Sequence, residues 1–370
     1  MKKDLLINQR ESISEIIDHI REATDSIYIC MYIWRDDKIG NLIVEELLKA
    51  ADRGVKIDID KDKSAAVFEH VEQQKQSFFH PYNEHLGLFS KIKKWFLLLT
   101  YYRDNIQRRQ QLMNDKLKRM LAHDNIDISF DKKIYVHSKY FIFDNETMIL
   151  GGINIGDKSV DGDEENYCDY MIKFEDESLI KHFWKRKNGL KEINHCQDIE
   201  FYFNKKEQDI YEIKPKVLEL IRKADKCIDI EMAYMGDRDI TKEIIKASRR
   251  GINITIITSD NSKLQHDLNC HTVCKMVKKG TTRVKPYFSE RNIHSKLMFI
   301  DKKMLFIGSA NFNKYGLKKL SELNVLVKDA EDLCSKWEKW RYEHLKECKL
   351  VSEDGLEYSK TIALAESIFS

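Results

Sequence analysis

The feature that most constrains this chain is an internal repeat. Residues 137–154 read HSKYFIFDNETMILGGIN, and residues 294–311 read HSKLMFIDKKMLFIGSAN. Each copy sets a Lys two positions after its His, an Asp seven after and an Asn seventeen after: His137, Lys139, Asp144 and Asn154; His294, Lys296, Asp301 and Asn311. A repeat of this size means two copies of one structural unit. Within each copy, two apolar runs flank a short polar break. That pattern predicts a hairpin, with strand 139–143, a turn at Asp144-Asn145 and strand 147–151, matched by 296–300, 301–303 and 304–308.

The repeat reaches upstream. IYICMYI at 27–33 and IDIEMAY at 228–234 are strand-like runs, each followed by a charged turn. Ile39, Leu42, Ile43, Leu47 and Ala50 then recur at helical spacing, as do Ile240, Ile244, Ile245 and Ala247. Each helical pattern ends in Arg-Gly (Arg53-Gly54, Arg250-Gly251), with the glycine placed as a C-terminal cap. VKIDID at 55–60 and INITIIT at 252–258 follow as alternating strands. Strand, helix and strand joined by short connections form a βαβ unit with parallel neighbours. The expected fold is therefore α/β: two homologous halves, each a mixed β-sheet flanked by helices, related by a pseudo-twofold axis. The halves are read as 1–196 and 197–370. From Gly54 to His137 is 83 residues, against 43 from Gly251 to His294, so the first half carries a helical insert of about 40 residues within 62–125.

Composition narrows the class. Hydrophobic residues make up 42% of the 370, enough for a real core, which excludes wholesale disorder. The longest uncharged apolar stretch, Trp95 to Tyr102, has eight residues, whereas a spanning helix needs about 20. The start, MKKDLLINQRESISEII, does not read as a secretory signal. The eight cysteines suggest no disulfide framework, and Cys30, Cys168 and Cys227 lie in apolar runs where a reduced thiol acts as a small hydrophobe. A reducing, cytoplasmic compartment is expected. His266, Cys270, His271 and Cys274 are read as a helix rather than a zinc site, since no second ligand pair follows. A net charge of +2 gives no global nucleic-acid signature.

The duplicated residues suit a phosphodiester. Two lysines neutralise non-bridging oxygens and stabilise charge in the transition state. Asn154 and Asn311 can donate to the same oxygens. One neutral His can attack phosphorus while the other, protonated, gives the leaving oxygen its proton. Each imidazole needs a partner on its other nitrogen. Asp169 in YCDYMIKF and Glu322 in SELNVLV, downstream in their respective halves, are assigned that orienting role. Asp144 and Asp301 belong to the same constellation, with ordering of the hairpin turn as their expected contribution.

These stretches, HSKYFIFD…GGIN and HSKLMFID…GSAN, resemble the paired HxKxxxxD motifs of the phospholipase D superfamily. YIWRDDKIGNLIVEELLKAADRGVKI and GGINIGD are similar to the bacterial cardiolipin synthase branch. The resemblance spans both halves apart from the insert and the C-terminal tail. It implies phosphatidyl transfer through a phosphohistidine with no cofactor or metal. It also implies His137 and His294 as the catalytic pair, with His137 the nucleophile, and Lys139, Lys296, Asn154 and Asn311 on the phosphate.

The substrate stays open between two classes: glycerophospholipid, or DNA or RNA cut by a nuclease of the same superfamily. Within the insert, GLFSKIKKWFLLLTYYRDNIQRRQQLMNDKLKRMLA carries nine Lys or Arg against two Asp, with aromatics in its first half. It can pack Phe89, Ile92, Trp95, Phe96 and Leu99 on the domain, or lie on an anionic lipid surface. The expected partner is an anionic phospholipid or membrane surface, with nucleic acid the alternative and no obligate protein partner. The expected location is peripheral, on the inner face of the membrane.

Overall fold

The structure, a computed structural model, describes residues 1–71, 77–80, 113–130, 135–157, 167–190, 198–260, 264–352 and 356–369. The strands of the first half are β1 (Lys2–Ile7), β2 (Ser26–Met31), β3 (Lys56–Lys61), β4 (Ile126–Ser129), β5 (Lys139–Phe143), β6 (Thr147–Gly151), β7 (Tyr167–Cys168) and β8 (Tyr170–Glu175). Those of the second are β9 (Ile199–Lys205), β10 (Ile210–Tyr211), β11 (Cys227–Met232), β12 (Asn253–Ser259), β13 (Val284–Ser289), β14 (Asn292–Ile293), β15 (Lys296–Ile300), β16 (Met304–Gly308), β17 (Glu322–Val327) and β18 (Cys348–Leu350).

The first sheet runs β1-β8-β6-β5-β2-β3-β4, and within the second runs the matching series β9-β17-β16-β15-β11-β12-β13. The two orders correspond strand for strand, with β10 and β18 added at the edges of the second sheet. In each, the βαβ strands pair in parallel (β2 with β3, β11 with β12). The hairpin strands pair antiparallel (β5 with β6, β15 with β16), so both sheets are mixed.

The local signals explain the elements. Asp37 caps the helix Lys38–Asp52 by accepting from the Gly40 amide. Asp237 does the same for the helix Arg238–Arg249, accepting from Asp239 and Ile240. Gly54 and Gly251 take φ of +100° and +98°, the left-handed geometry that ends a helix cheaply only with glycine. The arginine before each glycine reaches back to cap another helix end. Arg53 donates to Ile20 and Arg21, and Arg250 to Ile221 and Arg222. Both hairpins turn on two successive left-handed residues, Asp144-Asn145 and Asp301-Lys302.

Four layers result. The helices Asn8–Glu22 and Lys38–Asp52 cover one face of the first sheet through Ile16, Ile20, Ile43 and Leu47. The helices Ile213–Lys223 and Arg238–Arg249 cover the outer face of the second through Val217, Ile221, Ile240 and Ile244. The two sheets face each other across one apolar cluster that includes Tyr140, Ile142, Leu150 and Ile172 from the first half, and Phe201, Leu297, Phe299 and Val325 from the second. This double covering is why β5 and β15 are buried at every residue and read as unbroken apolar runs rather than alternating ones.

The described parts of the insert include two helices, Ala66–Val71 and Asp115–Leu121, the latter burying Leu117 and Met120. The basic-aromatic stretch around Gly87–Arg109 lies outside the described residues. His266, Cys270, His271 and Cys274 sit on the helix His266–Lys279. Among the described residues no helix is long and apolar enough to cross a membrane.

Candidate active site

Each repeat's His stands two residues before its hairpin, whose first strand residue is the Lys. The backbone holds both histidines across the boundary between halves. The amide of His137 donates to the carbonyl of Ser321, and the amide of His294 donates to the carbonyl of Cys168. Val136 pairs with Ser321 as an isolated bridge, and β14 pairs in parallel with β7. The segment before each His is thus tied to the segment before the other half's orienting carboxylate.

The side chains follow the same exchange. His137 Nδ1 lies 3.0 and 3.1 Å from the two Glu322 oxygens. His294 Nδ1 lies 2.7 Å from Asp169 Oδ2. Both carboxylates, expected to orient a His, do so for the histidine of the opposite half. Each is almost fully enclosed, at 1% exposure. Since Nδ1 is engaged by the carboxylate in both rings, Nε2 is the nitrogen that can meet a substrate.

The lysines are buried beside them. Lys139 Nζ donates to the His137 carbonyl at 2.5 Å, and Lys296 Nζ donates to that of His294. Lys296 Nζ also lies 3.1 Å from His294 Nδ1. Burial drives Lys139 down to about 7; Glu322 resists this and the Lys296 charge adds to it. Burial also drives His137 down to about 4, against Glu322 and with both lysines. That mutual influence of Lys296, Lys139 and His137 puts the two motifs in one electrostatic site, at the seam between the sheets.

The remaining assigned residues divide. Asn311 is buried, and its Oδ1 has no hydrogen-bond partner within the protein. Asn154 Oδ1 accepts from the Ile33 amide at 3.2 Å. Asp144 and Asp301 are not brought to this site. Each lies beyond the far end of the strand that its Lys begins. Asp144 accepts from the amides of Thr24, Asp25 and Ser26, and Asp301 from those of Asp225, Lys226 and Cys227. They lock the hairpin to the entry of β2 and β11, the ordering contribution expected of them.

Sequence reasoning missed four neighbours. Tyr32 meets the His137 ring edge-on at 4.6 Å, and Tyr167 stacks on His294 at 5.6 Å. Ser309 donates its hydroxyl to Glu322. Glu231 lies at the centre of a buried network with Tyr170 and Ser295. The GGIN/GSAN difference marks Ser309 in the sequence; nothing local marks the aromatic pair.

Compared with known proteins, residues 16–188 and 217–344 match the family described as cardiolipin synthase, PLD-like domain. The chain is 22% identical over 347 residues to cardiolipin synthase B of Salmonella typhi, covering 88% of this chain and 76% of that one. Cardiolipin synthase B of Escherichia coli K12 is likewise 22% identical over 350 residues, at 89% and 76%. The fold resembles the crystal structure of phosphatidylserine synthase from Haemophilus influenzae Rd KW20. The TM-score is 0.69 at 14% identity, over 99% of this chain and 92% of that one.

Proposed function

The chain belongs to the PLD-like cardiolipin synthase family of the phospholipase D superfamily, and from that membership we propose that it is a phosphatidyltransferase acting on glycerophospholipids through a phosphohistidine. The observation that carries this reading is the exchanged pairing of two imidazoles with two buried carboxylates, beside two buried lysines.

The environments divide the labour. His137, held neutral down to about pH 4 by burial, keeps a lone pair on Nε2 and is the nucleophile. Its attack forms an N–P bond as the bond from phosphorus to the leaving alcohol oxygen breaks. Protonated His294, beside Asp169, delivers its proton to that oxygen. Lys139 and Lys296 offset the growing negative charge on the non-bridging oxygens, and the carboxamide of Asn311 donates to one of them. In the second half-reaction His294 takes a proton from the acceptor alcohol. That oxygen attacks phosphorus, the N–P bond breaks and neutral His137 returns. Water in place of the alcohol gives hydrolysis.

Lysines supply the charge here, so the reaction should proceed in EDTA. The substrate reading draws support from the cardiolipin synthase relatives. With such a substrate, the proposed site of action is the inner face of the membrane. The test is incubation with phosphatidylglycerol, phosphatidylethanolamine and single-stranded DNA in EDTA, with products read by mass spectrometry. Phosphatidyl transfer or phosphatidate release is expected. Cleaved DNA with intact lipid would move the substrate to nucleic acid and leave the site chemistry standing.

A further inference from the structure

We propose that Glu231 is the positioning residue of the His294–Asp169 pair, acting on both members at once through Ser295 and Tyr170. The inference rests on the two-histidine reading above and deepens it. Glu231 is the fifth residue of β11 and has no exposed surface. Its Oε1 accepts from the Ser295 hydroxyl at 2.8 Å. The Tyr170 hydroxyl lies 3.0 and 2.9 Å from its two oxygens. Ser295 is the residue after His294, and Tyr170 is the residue after Asp169. One carboxyl group from the second half therefore joins the chain neighbours of both partners, one of them from the first half.

The contacts continue inward to the pair. The Tyr170 amide donates to Asp169 Oδ1 at 2.9 Å, which leaves Oδ2 aimed at His294 Nδ1 at 2.7 Å. Outward, Trp337 Nε1 donates to the Tyr170 hydroxyl at 3.3 Å. The other pair lacks this clamp. Cys30 occupies the position equivalent to Glu231, and its thiol makes a 3.9 Å contact with the Ser138 carbonyl. A sulfur cannot accept two hydroxyl hydrogen bonds as a carboxylate does. The two nearly symmetric halves thus differ where they hold their histidines.

The difference is one of charge as well as geometry. Burial pushes Glu231 up to about 7, and the nearby Asp169 charge adds to this. Ser295, Tyr170 and Arg341 act the other way. Also near it are the thiols of Cys168 and Cys348, both held protonated chiefly by burial, and the Trp337 indole. As Glu231 ionises it adds a second negative charge beside the His294–Asp169 pair, which favours the imidazolium. His294 is thereby kept as the proton donor, and His137, with no such charge behind Ser138, as the neutral nucleophile.

The test uses the full chain and Glu231→Gln, which keeps the shape and removes the charge. Two lipids with the same acyl chains serve as probes: phosphatidylglycerol, whose alkoxide needs a proton, and phosphatidyl-p-nitrophenol, whose phenolate does not. We expect Glu231→Gln to lower kcat roughly 10- to 100-fold on the first and to slow the initial burst of nitrophenolate release, the step that needs no proton from His294, less than about threefold on the second. NMR titration of labelled histidine should show His294 losing its proton roughly one pH unit lower in the variant, with His137 unmoved. Equal losses on both lipids, or an unmoved His294 titration, would overturn the proposal. If wild type turns over neither lipid, the substrate reading fails and the titration alone decides the role of Glu231. Should Glu231→Gln not fold, Tyr170→Phe and Ser295→Ala each remove one donor to the carboxyl and face the same two readouts.

Discussion

His137 and Glu322 are 185 positions apart, yet the imidazole Nδ1 and a carboxylate oxygen meet at 3.0 Å. Neither half orients its histidine alone, because the carboxylate that contacts its Nδ1 belongs to the other. Glu322→Gln keeps the size of this contact and removes its charge. It is expected to lower kcat by roughly 10²–10⁴. The loss should be similar whether the leaving group is an alkoxide or a nitrophenolate, since attack by His137 itself is impaired. Steady-state rates on the two lipids check this, and a loss confined to the alkoxide would reverse the assignment of nucleophile and acid.

His294→Ala separates the two steps from the other side. With a nitrophenolate leaving group no proton is needed at departure, so His137 should still be phosphorylated and the intermediate should then persist. Intact-protein mass spectrometry in EDTA should find the phosphatidyl adduct in His294→Ala and not in His137→Ala. An adduct on His294 in the reverse variant would show that the roles are exchanged.

How much of this was legible in the sequence follows from the range of each interaction. The hairpins at 139–151 and 296–308, the Asp turns and the Arg-Gly helix ends are local, and their signals lie within a few residues. Each hairpin strand falls at the residues expected. Asp169 and Glu322 were found as carboxylates on equivalent strands, β8 following the one and β17 beginning at the other. That they trade histidines was not legible, because it depends on how two sheets dock. β1 was also missed: KKDLLI is short, opens on three charged residues and is held by pairing with β8 from far along the chain. Glu231 sat in plain view as one acidic residue in an apolar strand, a position where an unpaired carboxylate is costly. Only the partners Tyr170 and Ser295 explain it.

Lys139 gives a pH dependence with a definite sign. Its folded value, about 7, lies below the ordinary 10.5. In the free enzyme its charge is lost as pH rises through 7, so kcat/KM should fall on the alkaline side with a midpoint near 7. For stability, the folded chain binds fewer protons at this site than the unfolded chain between pH 7 and 10.5. Stability should therefore rise across that window. Lys139→Met should abolish activity, lose that slope and be more stable at pH 7, by as much as about 4 kcal/mol for a buried group. Denaturant unfolding at pH 7 and 10 reads both effects; a steeper slope in the variant would refute them.

The basic-aromatic stretch around Gly87–Arg109 lies outside the described residues, so its expected membrane contact is tested directly. Wild type should co-sediment with vesicles containing phosphatidylglycerol, less as salt rises. Lys91→Glu, Lys93→Glu and Trp95→Ala together should release it while retaining turnover of a short-chain soluble phosphodiester. Unchanged sedimentation would return the insert to a purely structural role.

Gly152 supplies the most local test of the Asp169 contact. A Cβ at this position would lie 2.3 Å from Asp169 Oδ1 and 2.8 Å from Oδ2. Both oxygens are committed, to the Tyr170 amide and to His294. The equivalent residue in the second half is Ser309, whose hydroxyl reaches the longer Glu322 side chain instead of colliding with it. Gly152→Ala should therefore displace the Asp169 carboxylate and mimic Asp169→Asn, with a kcat loss of roughly 100-fold on the alkoxide substrate and a much smaller effect on the burst of nitrophenolate release. Because both changes break one contact, the double variant should be little worse than either single one. Additive losses would mean that Gly152 acts by another route, and an unimpaired Gly152→Ala enzyme would show that proton delivery by His294 does not need Asp169 where the structure holds it.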